Sequence, residues 1–269
     1  MSKSIQSSMS ELAPAVFKVN AATKLADGTL ENLGYAAKLE IPHLRQLPEH
    51  EGSCTIVGGA PSIESRIGAI RDTVESPYNI LCSVNCVHNW LIGHNIIPNI
   101  HVVFEEDITL DVVIGKPHPD VYYYVCSHCP PRVFDFFKNS KVVLWHHWAA
   151  DKEYEDAVAG IYPGEFMVGG GYTTLFRTIN IAVLLGYREF DLFGVDSSFE
   201  DDDKQHIAGY PTKPSPEGLA DIHIKGKKFR TLGALALQAE FLRKFCKDNS
   251  DRVKVRVHGS GLLPFMLQN

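Results

Sequence analysis

Apolar residues along the chain fall into short unbroken blocks separated by stretches with helical spacing. Cys54 to Val57, Ile80 to Val84, Ile100 to Phe104, Tyr122 to Cys126, Val142 to Trp145, Phe190 to Phe193 and Val253 to Val257 have the length and composition of buried strands. Between them, Ile63, Ile67, Ile70 and Val74 recur at the spacing of one helix face. Further helices are expected through Trp90 and Leu91, from Pro131 to Phe137, after the glycines at 169 to 171, and from Thr231 to Phe245. Strands alternating with helices predict an α/β fold: a doubly wound, mostly parallel, Rossmann-like sheet.

The pattern is weaker at two places. Residues 1–50 are mixed, with a Ser-rich start and a helical stretch around Leu30 to Leu47 interrupted by Pro42, and they read as an N-terminal arm on a main domain covering 51–269. From Phe199 to Lys228 the periodicity stops among acidic residues and Pro211, Pro214 and Pro216. A structureless segment of that length predicts a mobile Pro-rich functional loop, 199–228.

The chain has 269 residues, 45% hydrophobic and 22% charged, enough to bury a full core. Its net charge of −6 argues against a nucleic-acid partner, which needs a basic footprint. No apolar run reaches the roughly 18 to 20 residues of a membrane span, and Met1 to Ser10 has no signal-like pattern, so a cytoplasmic location is expected. The six cysteines sit mostly in or beside strands, which suits reduced, buried thiols. Cys126-Ser127-His128-Cys129 and His146-His147 hold zinc-ligand residue types, but a second C-x₂-C pair is missing, and the spacing disfavours structural zinc.

Candidate chemistry gathers at strand ends. Gly58, Gly59, Ala60, Pro61 and Ser62 follow a strand and open a helix, the context of a nucleotide-binding turn, although neither G-x-G-x-x-G nor a Walker sequence is present. Gly169, Gly170 and Gly171 allow a second tight turn, with Thr173 and Thr174 as hydroxyl donors at a helix start that favours anions. Asn85 ends the second strand, where its amide can meet a base or ribose. Asp107, after Glu105 and Glu106, is a candidate for Mg²⁺, the one cofactor expected, with nothing tightly bound. Asp196, with Ser197 and Ser198, is a candidate for a ribose, metal or acceptor contact. His206 and His223, on the Pro-rich segment, are candidate bases.

Taken together, Ile56 to Ser62, Asn85, Pro98, Asp107, Gly169-Gly170 with Thr173, Leu185-Gly186-Tyr187 and Gly194 to Ser198 resemble the 6-hydroxymethylpterin diphosphokinase MptE-like family, which includes motility accessory factors. His206, Thr231 and Gln238 resemble its downstream landmarks. Ala60 stands where that pattern has glycine, and Ile108 where it has proline. The resemblance implies a nucleotide-dependent transferase moving a diphosphoryl group from ATP to a small hydroxylated acceptor. The same landmarks are similar to those of bacterial sialyltransferases, which implies the alternative of glycosyl transfer from a CMP-sugar to a glycan, with His223 as base. A non-catalytic nucleotide-binding protein of the same fold is the third reading. A homo-oligomer is compatible with all three.

Overall fold

The computed structural model describes residues 28–104, 110–170, 173–200, 206–207 and 219–268. Its strands are β1 (Ser53–Val57), β2 (Asn79–Val84), β3 (Ile100–Val103), β4 (Tyr122–Cys126), β5 (Lys141–His147), β6 (Met167–Val168), β7 (Glu189–Phe193), β8 (Leu219–Ile224), β9 (Lys227–Leu232) and β10 (Lys254–His258). All but β8 and β9 form one sheet in the order β10-β7-β1-β2-β3-β4-β5-β6, and every pairing within it is parallel. The last four residues of β1, β2 and β4 are buried without alternation, as expected of strands covered on both faces. All six cysteines are free thiols and five are buried.

The strand order sets the site. From β1 to β6 the chain steps across the sheet in one direction; it then returns to place β7 on the other side of β1, with β10 beyond. The order therefore reverses between β1 and β7, and the crevice at such a reversal, at the carboxyl ends of the strands, is where ligands bind in open α/β sheets. The return is made by the helix Thr174–Leu184, which packs against β1, β2, β3 and β6 and is buried nearly all round. Gly170 makes that packing possible, because a Cβ there would lie 2.3 Å from Arg177 Cγ and 2.6 Å from the Arg177 backbone nitrogen.

Two expected elements differ. The helical stretch near Leu30 to Leu47 is a short helix, Thr29–Ala36, packed on the helices Pro131–Phe136 and Lys152–Ile161. The chain then runs extended, since Pro42 disfavours helix at the residue before it. Leu44 N–H donates to Leu144 O at 2.7 Å, Leu144 N–H to Pro42 O at 2.8 Å, and Leu47 N–H to Leu184 O at 2.8 Å, so the described part of the arm is stitched to the domain. The second difference is the span 199–228. Its end is not structureless: Leu219–Ile224 pairs antiparallel with Lys227–Leu232, turning at Lys225 and Gly226, both with positive φ. Phe229 is buried with its ring 5.2 Å from that of Phe265, and Phe199 N–H donates to Arg230 O at 2.8 Å. Residues 201–205 and 208–218, including the three prolines, lie outside the described residues.

Candidate functional site

A cavity of about 290 Å³ opens at the carboxyl ends of β1, β2 and β7. Its floor is made by two turns that touch. Gly58 N–H donates to Phe193 O at 2.8 Å and Ala60 N–H to Gly194 O at 3.1 Å; a Cβ on Gly194 would stand 2.1 Å from Gly58 O. No side chain fits between these turns, so the backbone itself lines the cleft. Ala60 is extended (φ −74°, ψ 151°), a conformation any residue adopts, and its methyl requires no departure from the turn.

Gly58, Gly59, Asn85, Thr173, Thr174, Asp196 and His206 all line this cavity. Asn85 sits at φ 52° and Ser197 at φ 53°, the sparsely populated left-handed region that concentrates at functional sites. Thr173 precedes the helix Thr174–Leu184 in extended conformation, its hydroxyl makes no cap bond, and both Thr173 and Thr174 line the cleft. The Thr173 and Ser197 hydroxyl oxygens are buried with no hydrogen-bond partner among the described residues.

The neighbours of Ser197 are committed elsewhere. Asp196 accepts from Ser62 Oγ at 2.7 Å and Ser62 N–H at 3.2 Å, Ser198 Oγ accepts from Leu262 N–H at 3.1 Å, and Ser197 O accepts from Thr231 Oγ1 at 2.7 Å. Burial raises the Asp196 carboxyl above its ordinary value, opposed by the Ser62 bonds. Gly259 and Gly261 crowd it so closely that a Cβ on either would lie 2.4 Å from Asp196 atoms. Asp196 thus ties the first turn to the C-terminal segment. Burial also lowers the His206 imidazole, which keeps it neutral near pH 7 and able to accept a proton.

Other expected residues lie elsewhere. Pro61 and Ser62 are buried outside the lining, with Ser62 bonded to Asp196, which is part of it. Gly169 and Gly170 do not line it: Gly169 O accepts from Asn180 Nδ2 at 2.9 Å, and Gly170 serves helix packing. His223 is exposed on β8, outside the lining. Asp107 and Gly171 lie outside the described residues. Phe104 and Leu235 complete the wall without any signal in the sequence, because a lone apolar residue at a strand end or helix start looks like core.

Residues 27–202 match the family described as 6-hydroxymethylpterin diphosphokinase MptE-like. The chain belongs to this family. Among solved structures, the MAf glycosyltransferase from Magnetospirillum magneticum AMB-1 is similar at a TM-score of 0.62 and 16% identity, over 90% of this chain and 38% of that one. That likeness establishes a shared fold, and the MptE-like chain spans well under half the length of the glycosyltransferase. Thiamine pyrophosphokinase from Bacillus subtilis is matched over 77% of this chain and 61% of that one at 13% identity and a TM-score of 0.35, too low to carry an argument. No curated protein matches the chain. No helix among the described residues is long and apolar enough to cross a membrane.

Proposed function

We propose that this MptE-like chain is a nucleotide-dependent transferase acting on a hydroxylated acceptor, with the nucleotide phosphates held between the Gly58-Gly59 turn and the start of the helix Thr174–Leu184. The observation that carries the reading is the pair of buried, unpartnered hydroxyls, Thr173 Oγ1 and Ser197 Oγ, on one cavity at the sheet's reversal. Buried polar groups are nearly always paired, and two orphans facing one space mark where a polar ligand completes them. The helix start adds the positive end of its dipole, which favours an anion.

Diphosphoryl transfer is the reaction the family description suggests. The acceptor hydroxyl oxygen bonds to the β-phosphorus of ATP, the bond from that phosphorus to the α-phosphate oxygen breaks, AMP leaves, and the hydroxyl proton passes to a base, for which neutral His206 is the candidate. Asp196 is taken by Ser62, so a magnesium ion would rest on Asp107 and its acidic neighbours, supplying charge neutralisation to the phosphates. A second reading is supported by the lining itself: among the described residues it contains no Lys or Arg. A single phosphate, as in a CMP-sugar, needs less counter-charge than a triphosphate, which favours glycosyl transfer with the same His206 as base.

A thermal-shift panel of ATP, CTP, CMP and UDP, each with magnesium and with EDTA, separates the two. A ligand at 100 times its dissociation constant adds about 2.7 kcal/mol of stability. A magnesium-dependent shift with ATP supports diphosphoryl transfer; an EDTA-insensitive shift with CMP supports glycosyl transfer. No shift with any nucleotide overturns both.

A further inference from the structure

Beside Phe104, the ligand atoms of one cysteine and two histidines gather within 4.8 Å of one another, with a tyrosine hydroxyl against one of them. Cys126 ends β4, His128 follows it in the next turn, His147 ends β5, and Tyr154 projects from the helix Lys152–Ile161. His128 Nδ1 is 2.8 Å from His147 Nδ1 and 3.2 Å from Cys126 Sγ; His147 Nδ1 is 3.8 Å from Cys126 Sγ and 2.9 Å from Tyr154 Oη. All four residues are buried.

Protons do not account for this arrangement well. His128 Nε2 lies 2.8 Å from Phe104 O, a pure acceptor, so Nε2 carries the hydrogen and Nδ1 is a lone pair in the neutral ring. That one lone pair faces both the Cys126 thiol and His147 Nδ1. His147 Nδ1, with either one hydrogen or one lone pair, faces three neighbours. A cation at the centre satisfies the thiolate and both imidazoles together. The spacings suit it: tetrahedral zinc with these ligands sets nitrogens about 3.3 Å apart and nitrogen and sulfur about 3.6 Å apart, each within roughly half an ångström of the distances here.

We infer that Cys126 Sγ, His128 Nδ1 and His147 Nδ1 form a divalent transition-metal site, zinc by ligand type, with Tyr154 Oη or a water as fourth ligand. One thiolate and two imidazoles are borderline-soft donors that select zinc over magnesium or calcium. On binding, the Cys126 proton is released and the sulfur lone pair goes to the metal. The bond from His128 Nε2–H to Phe104 O is the outer contact that orients a metal-bound imidazole. It also links the site to the cavity, since Phe104 lines that cavity and its ring lies 4.8 Å from the His128 ring and 5.3 Å from the His147 ring. The sequence pattern disfavours zinc for want of a second C-x₂-C pair; the parallel pairing of β4 with β5 supplies the missing ligand from a neighbouring strand instead.

The test loads the chelator-treated full chain with Co²⁺ and records its absorption, with metal content measured by elemental analysis. About one cobalt per chain is expected, with a thiolate-to-metal charge-transfer band and tetrahedral d–d bands. The charge-transfer band should vanish in Cys126→Ser and persist in Cys246→Ser. Wild-type chain that takes up no stoichiometric cobalt, or a band unchanged in a folded Cys126→Ser, overturns the inference. Because the wild-type measurement stands alone, a variant that fails to fold leaves the test intact, and the result does not depend on whether the cavity binds a nucleotide.

Discussion

At the scale of single residues, the cavity depends on which polar atoms are spoken for. Ser62 gives two hydrogen bonds to the buried Asp196 carboxylate, one of them from a hydroxyl at 2.7 Å. Ser62→Ala should cost about 1.5 to 3 kcal/mol, the worth of a bond to a charged group, read as a lower urea midpoint. Thr173→Val is the opposite case: its hydroxyl has no partner among the described residues, so stability without ligand should be unchanged or slightly higher. The nucleotide-induced thermal shift should shrink, by roughly tenfold in affinity. A variant that loses stability and keeps the full shift would show that the hydroxyl serves the fold. Candidate residues were readable where they follow the carboxyl end of an apolar block, as with Asn85 and the Gly58-Gly59 turn, which line the cavity. The commitments of Asp196 to Ser62 and of Ser198 to Leu262 were not, because partners 134 and 64 residues away leave no local trace.

At the scale of elements, the two glycine turns do different work. Gly170 sits against the helix Thr174–Leu184, and Gly170→Ala should push that helix off its strands at about 1 to 3 kcal/mol, seen in the denaturation midpoint. Gly68, in the helix Ile67–Val74, has open space where a methyl would stand, with nothing within 4 Å, so Gly68→Ala should instead stabilise by about 0.5 to 1 kcal/mol. β1 to β5, β7 and β10 were legible as apolar blocks. β6, only Met167–Val168, is too short to show a period, and the β8–β9 hairpin hides its few apolar residues among Asp221, Lys227, Lys228 and Arg230. Sequence periodicity reports burial on a continuous face, and the hairpin buries little beyond Phe229 and Thr231.

At the scale of the whole molecule, buried imidazoles govern the response to acid. Burial pushes His88 down to about 4 and His101 well below its ordinary value, while their partners Tyr123, Ile114 and Ser83 hold them as neutral rings. Above about pH 6.5 neither state binds protons at these sites; below it the unfolded chain takes up protons that the folded chain refuses. Stability should therefore fall by up to about 1.4 kcal/mol per pH unit per histidine between about pH 6.5 and 4. Urea midpoints at pH 7.5, 6 and 5 check this, and a flat series would refute it. The two margins of the sheet bear on another hazard, the recruitment of one copy by another through strand addition. On one side, residues 42–44 already pair with β5 where β6 is too short to do so. On the other, β10 presents Lys254 and Arg256, anchored to Glu189 and Asp191 on β7, so an incoming identical strand would meet its own cations. Among the described residues, both margins of the main sheet are thus blunted against templating by a crowded neighbour of the same sequence.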